Sequence, residues 1–265
     1  MSVTTHERPG VYSEYDASSV VQGRQGRKMV GMAAIHATAP AGVPQTVTSY
    51  EGALIAFGST GGQDMTELIR LALKNGAAGV VAVPVADDEG YEAAFAALAA
   101  MDDIGVVICD SVDREVQQSL RDSAAAASAA RRERIAVAAG GAGETVTELL
   151  EQAKALNSER VVLVAPGGTD EEGKAVSGLS LAAAVAGAIA GTTDPALPLG
   201  GAVLSGLYGL ETTYGDNDLD LLIRGGVTPA ERTGGVTSVV RGVTTRTTTD
   251  GTADTTWREL STILV

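Results

Sequence analysis

The 265-residue sequence contains one cysteine, Cys109, which excludes an internal disulfide framework and any zinc site built from several cysteines. Aromatic residues make up only 3%, so a ligand pocket has few rings to anchor it. Histidine occurs twice, at His6 and His36, and no Gly-x-Ser-x-Gly elbow is present, so a Ser-His-Asp triad lacks its usual parts. Long hydrophobic runs are missing too. The longest, Leu181 to Gly191 with Ala and Gly counted, falls far short of the roughly 20 residues that span a membrane. Met1 to Arg8 shows no basic-then-apolar signal pattern. Positive charge is scarce: 19 Lys and Arg face 33 Asp and Glu, a net charge of −14 that opposes phosphate. The expectation is a soluble protein of a reducing cytoplasm that neither binds nucleic acid nor inserts in a membrane.

Hydrophobic residues at 45% and charged residues at 20% are the values of a folded globular chain with a real core. Residues 1–28 read as an extended arm, because Pro9, Gly10 and the Gly23–Gly26 stretch break helices and Val11–Tyr15 alternates only loosely. Residues 29–200 have a regular rhythm. Val- and Ile-rich runs at Met29–Ile35, Gly79–Val85, Ile104–Cys109, Ile135–Ala139 and Val161–Ala165 show little polar alternation, as strands covered on both faces do. Between them, Asp64–Lys74, Glu89–Met101, Ser111–Arg132 and Glu144–Leu156 place apolar residues at helical spacing, with Ser111 as the expected N-cap of the third. One helix between successive strands is the βαβ signature.

The predicted fold class is α/β: a mainly parallel sheet with helices on both faces. An extended N-terminal arm precedes it, and a smaller α+β C-terminal unit, residues 201–265, follows. In that unit Leu219–Arg224, Val236–Val243 and Thr255–Val265 read as short Thr- and Val-rich pieces, and Asp250-Gly251 as a hairpin turn. The acidity is uneven: residues 1–28 carry +1, 29–200 carry −12 and 201–265 carry −3. A block of −12 repels its own copies, so it is expected to face outward or to line weak, salt-sensitive contacts, with added salt or divalent cations favouring assembly.

Such a fold invites an enzyme, yet no site emerges. Ala139–Glu144 follows a strand and opens a helix, where a phosphate could rest on the helix N-terminus. It has no Gly-Lys-Ser/Thr, and Glu144 repels phosphate, so a plain glycine turn is the simpler reading. Asp87-Asp88-Glu89, Asp102-Asp103 and Asp170-Glu171-Glu172 are acidic clusters that could hold a hard cation, but acids at helix starts and loops need no metal. Cys109 closes an apolar strand and reads as an inert thiol. No catalytic, cofactor or metal residue is assigned. An α/β hydrolase or ligand-binding enzyme with an unrecognised site stays as the alternative to a structural role.

Several segments, in order, resemble the contractile tail sheath proteins of bacteriophages and related contractile injection systems. Glu7-Arg8-Pro9-Gly10-Val11-Tyr12 is similar to the family's Arg-Pro-Gly-Val-Tyr arm. Val47-Thr48-Ser49-Tyr50-Glu51 with Phe57-Gly58, then Leu68–Val85 with its Asn75-Gly76, resemble two further elements. Pro195–Gly201 resembles the Pro-Leu-x-Gly connector. Gly225–Thr228, Gly234-Gly235 and Val239–Thr245 resemble the closing core motif.

The resemblance implies a structural subunit that polymerises helically around a tail tube, with six-fold character, and contracts to drive the tube through a target envelope. Its partners would be copies of itself, the tail tube protein, and baseplate and tail-terminator proteins, in a virion tail or injection particle assembled in the bacterial cytoplasm. It implies that Arg8, Pro9, Gly10, Val11, Tyr12, Glu14 and Tyr15 form an intersubunit strand, with Gly23 and Gly26 as its hinge. It also implies that Gly226, Val227, Val239, Val240, Arg241, Gly242, Thr244 and Thr245 belong to an inner domain. Members of the family continue past a segment like Trp257-Arg258-Glu259-Leu260 into a C-terminal helix and arm, whereas this sequence stops at Val265, so no C-terminal arm is assigned.

Overall fold

The structure, a computed structural model, describes residues 28–265. The expected arm residues Arg8, Pro9, Gly10, Val11, Tyr12, Glu14 and Tyr15, and the hinge glycines Gly23 and Gly26, lie outside the described residues.

The chain begins with β1 (Met29–Ile35), β2 (Gln45–Val47), α1 (Tyr50–Phe57), α2 (Met65–Lys74) and β3 (Val80–Val85). Strands and helices then alternate through α3 (Tyr91–Ala99), β4 (Ile104–Cys109), α4 (Arg114–Ala129), β5 (Ile135–Ala139), α5 (Val146–Leu156) and β6 (Val161–Ala165). A small hairpin, β7 (Gly168–Thr169) and β8 (Ala175–Val176), leads into α6 (Leu179–Gly191), β9 (Val203–Leu204) and β10 (Gly209–Leu210). The rest comprises α7 (Asp216–Arg224), β11 (Val227–Thr233), β12 (Val236–Val239), β13 (Thr248–Thr249), β14 (Thr252–Ala253) and α8 (Leu260–Leu264).

Nine strands form one sheet in the order β2-β3-β1-β4-β5-β6-β11-β12-β9. The run from β3 to β11 is parallel, and β2, β12 and β9 are antiparallel additions at its two edges. The mainly parallel sheet expected from the uninterrupted apolar runs is therefore present, and β3, β4, β5 and β6 are buried along their whole length. Residues 201–265 have the expected α+β content, but their longer strands extend the central sheet through the β6–β11 pairing. Past residue 200, β11 keeps the direction of the parallel strands and β12 reverses it, all within one sheet.

Helices cover both faces. One core layer gathers Leu68, Ile69, Ala72, Val185 and Ile189 from α2 and α6 over Val30, Met32, Val106 and Val137. The other gathers Phe95, Leu98, Leu120, Leu149 and Leu222 from α3, α4, α5 and α7 over Val81, Val107, Ala136 and Leu163. Because each crossover helix returns from the end of one strand to the start of the next, these helices run antiparallel to the strands they connect. Their N-termini collect where the parallel strands end, and their C-termini where the strands begin.

Helix α6 reaches α2 through glycine. A Cβ built on Gly187 would run into the Ala72 carbonyl oxygen and lie 3.0 Å from its carbonyl carbon, and one on Gly191 would lie 2.8 Å from the Gly76 Cα. The close approach of the two helices requires glycine at these positions.

One helix is unforeseen and three local expectations are corrected. Helix α1 carried no helical signal, because Tyr-Glu-Gly-Ala-Leu-Ile-Ala-Phe is apolar on every side. It is defined instead by its ends, the Ser49 hydroxyl accepting from Gly52 N and Gly58 turning at φ 67°. Leu219–Arg224 is the end of helix α7, started by Asp216 and Asp218, and is not a strand-like piece. The N-cap of α4 is Asp113, whose carboxylate accepts from Glu115 N and Val116 N at 2.8 and 3.2 Å, while Ser111 supports Asp113 one step earlier. Within Thr255–Val265 the regular element is helix α8. The Asp250-Gly251 turn forms as expected, both residues at positive φ, 49° and 77°, which the tight hairpin requires.

Candidate functional site

In an open parallel sheet, ligands bind where successive crossovers leave in opposite directions. Here that point lies between β1 and β4, at their C-terminal ends. The residues gathered there are Ile35, His36, Cys109, Asp110 and Tyr91. The Asp110 carboxylate accepts from Ile35 N at 2.8 Å and from the Tyr91 hydroxyl. It thereby ties the end of β1 to the start of α3. Burial pushes the Asp110 carboxyl above its ordinary value, against the lowering effect of those two bonds. Burial together with Asp110 raises the Tyr91 hydroxyl. Burial pushes the Cys109 thiol up to about 12, so it stays an unreactive thiol at neutral pH. The His36 ring is used up as well. Nδ1 accepts from Ala39 N at 2.9 Å, and Nε2 lies 2.8 Å from the Phe57 carbonyl, to which it donates. Each polar group at this point is engaged in holding loops, and none faces a nucleophile as a free base.

A test follows from the sign of the Asp110 shift. A carboxyl raised in the folded state adds stability below its unfolded value, and that contribution is lost as pH rises through the folded value. At neutral pH the charged Asp110 therefore weighs against the fold. Asp110→Asn keeps one acceptor oxygen and removes the charge. Its melting temperature relative to wild type should be higher at pH 7 than at pH 4. An advantage that grows on acidification would contradict the assignment.

The glycine turn after β5 is already filled. The Glu211 carboxylate accepts from Gly143 N at 2.8 Å and from Gly167 N at 3.0 Å, bridging the loops that leave β5 and β6. Glu144 accepts from Gly141 N at 2.9 Å. The backbone donors that could cradle a phosphate thus hold the chain's own carboxylates. Burial and the neighbouring Glu211, Asp218 and Glu144 push the Tyr214 hydroxyl up to about 12. Sequence reasoning missed Glu211, since it lies far along the chain from both loops and carries no local motif.

The residues implied as an inner domain are brought together at the opposite end, around the starts of β6 and β11, as a clasp. Gly226 turns at φ 83°, and a Cβ there would lie 2.9 Å from the Thr244 carbonyl oxygen. Val227 and Val239 are buried on β11 and β12, and Val240 N bonds the Pro229 carbonyl at 2.9 Å. A Cβ on Gly242 would lie 2.7 Å from Leu199 Cβ. Thr244 Oγ1 donates to the Trp257 carbonyl at 2.7 Å. Thr245 Oγ1 accepts from Ser158 N at 3.0 Å and donates to the Ser158 carbonyl at 3.1 Å, and Thr245 N bonds the Val161 carbonyl. Arg241 is the exposed member, paired with Glu259 at 2.7 Å. Thr245→Val keeps the shape but leaves the buried Ser158 amide unpaired and takes from the Ser158 carbonyl one of its two donors, the other being Val161 N at 3.4 Å. It should lower unfolding free energy by about 1–3 kcal/mol, measured by urea denaturation, whereas a change under about 0.5 kcal/mol would deny the clasp its role.

Among the described residues, no group of three or more His, Cys, Asp and Glu is placed to hold a metal ion, and no helix is long and apolar enough to cross a membrane.

At the ligand-binding positions of this parallel α/β sheet, the polar groups described above are engaged with the chain's own loops. The family model of the phage tail sheath protein central domain matches residues 85–245, and the chain belongs to that family. No curated protein sequence matches it. Among solved structures, the sheath tail protein from Desulfitobacterium hafniense is similar at 13% identity and a TM-score of 0.73, over 96% of this chain and 80% of that one. A chain of the anti-feeding prophage helical sheath in its contracted state is similar at 19% identity and 0.68, over 97% and 72%. A chain of the six-fold symmetrised anti-feeding prophage baseplate is similar at 19% identity and 0.67, over 98% and 73%.

Proposed function

We infer that this chain is a structural subunit of a contractile sheath. It polymerises helically around a tail tube and contracts to drive the tube through a target envelope. The observation that carries this reading is the family match across residues 85–245. The similarity to a contracted helical sheath and to a baseplate chain supports copies of itself and the baseplate as partners. The tail tube and tail-terminator proteins complete the proposed partner set, and the particle is proposed to assemble in the bacterial cytoplasm.

In this reading the segment containing Arg8–Tyr15 adds a strand to a neighbouring copy, with Gly23 and Gly26 as its hinge. Strand addition uses main-chain hydrogen bonds, which fits a segment that is not strongly apolar. Residues 29–200 form the sheath body, and residues 201–265, with the clasp around Gly226–Thr245, form the part toward the tube. The chain acts without turnover, which the engagement of His36, Cys109 and Asp110 in structural contacts supports. Electron microscopy of the purified full chain tests the reading: tubes or stacked rings are expected, and uniformly single particles at every concentration would oppose it.

A further inference from the structure

The antiparallel course of helices and strands sorts charge along the molecule. Acidic residues favour helix N-termini and basic residues helix C-termini. Accordingly Glu67, Glu115 and Glu148 sit in first turns, and Lys74 and Lys154 in last turns. Since the helix N-termini collect where the parallel strands end, that end gathers the acids. The loops after β3, β4, β5 and β6 add Asp87, Asp88, Glu89, Asp113, Glu144 and Glu172, with Arg114 and Lys174 as the cations alongside.

The opposite end is basic. There Asp102, Glu133 and Glu159 are tied in ion pairs to Arg132, Arg160 and Arg246 at 2.6, 2.6 and 3.1 Å. Lys28, Lys74, Arg131, Lys154 and Arg258 make no ion pair among the described residues, and neither do the acids Asp103, Asp250 and Asp254 at the same end, so the five cations exceed the three anions and a modest positive charge is left over. The −12 of residues 29–200 is therefore largely gathered at one end of the sheet.

Each end also offers apolar surface. Ile35, Val43 and Val112 are exposed among the acids. At the basic end a cleft of about 410 Å³ is lined by Trp257, Ile263, Thr262, Glu159, Arg160 and Arg246, with Trp257 the sole tryptophan of the chain and 45% exposed. An apolar centre within a charged rim is the make-up of a protein–protein contact.

We infer that the two ends of the sheet are a docking pair: the acidic strand-terminal end of one copy meets the basic, Trp257-bearing end of a second copy. The two patches differ, so the contact is head-to-tail and propagates without closing, as an open helical filament requires. Opposite charge sets direction and rejects the head-to-head alternative, in which acids face acids. The inference rests on the reading of this chain as a self-associating subunit.

The test uses the full chain and sedimentation velocity across salt. The acid end is reversed by Asp88→Lys, Glu89→Lys and Glu172→Lys together, all exposed positions. The basic end is reversed by Lys74→Glu, Arg131→Glu and Lys154→Glu together, also exposed. A third chain carries all six changes, and circular dichroism checks that each variant is folded. Wild-type association should weaken by roughly tenfold or more from about 50 to about 500 mM salt, where the Debye length falls below about 5 Å. Either triple variant should lose association with itself, while an equimolar mixture with wild type should retain mixed contacts. The six-fold variant, complementary again with its ends exchanged, should regain self-association. If wild type associates and neither triple variant changes it, the inference is overturned and the sheath reading stands. If wild type stays monomeric at low salt and high concentration, both are overturned.

Discussion

Replacing Gly187 by leucine should destabilise the protein by about 3 kcal/mol or more, a fall of roughly 10 °C in Tm for a chain of this size. Alanine at an ordinary helix-interior glycine would gain up to about 1 kcal/mol. At Gly187 even alanine should lose stability, because its Cβ meets the backbone of Ala72, which cannot rotate away as a side chain would. Helix α6 then has to lift from α2, opening the layer that contains Val185, Ile189, Leu68 and Ile69. Thermal melts followed by circular dichroism decide the matter: a leucine variant that melts with wild type would mean the two helices are not in contact.

Deleting residues 1–20 should abolish polymerisation while leaving the described sheet folded. Among the described residues both core layers are assembled from residues 29–265, with helices on both faces of the sheet. Ten extended residues reach about 33 Å, enough to cross to a neighbouring copy. The truncated chain should melt within a few degrees of wild type and sediment as a monomer under conditions where wild type assembles. Tubes formed by the truncated chain would remove the arm from the assembly mechanism, and a collapsed melt would make it part of the core.

The sheet was legible because its strands are buried on both faces. Val-Val-Ala-Val in β3, Ile-Gly-Val-Val-Ile-Cys in β4 and Val-Val-Leu-Val-Ala in β6 announce themselves without alternation. Helices with one wet face, such as α2 and α5, were equally clear. Helix α1 was hidden because it is apolar all round, and α7 because its polar first turn, Asp-Asn-Asp, reads as a loop. The joining of residues 227–239 to the central sheet could not be read locally, since β6 and β11 are more than sixty residues apart and parallel pairing leaves no turn signal between them. Of the candidate positions, the clasp residues were singled out through family resemblance, and their roles are those of packing. Gly226 and Gly242 make room, and Thr244 and Thr245 supply hydroxyls to buried carbonyls. The Glu211 bridge and the Asp110–Tyr91 contact join residues distant in sequence, and side-chain chemistry of that kind leaves no periodic trace.

A helical reconstruction by electron microscopy of the assembled full chain tests most directly whether this chain is a helically polymerising structural subunit. The expected result is an open tube with a hollow lumen, in which each copy keeps the nine-stranded sheet as a rigid body and meets its neighbours through unlike surfaces. Closed two-fold dimers, or single particles with no helical order at any salt or protein concentration, would contradict it.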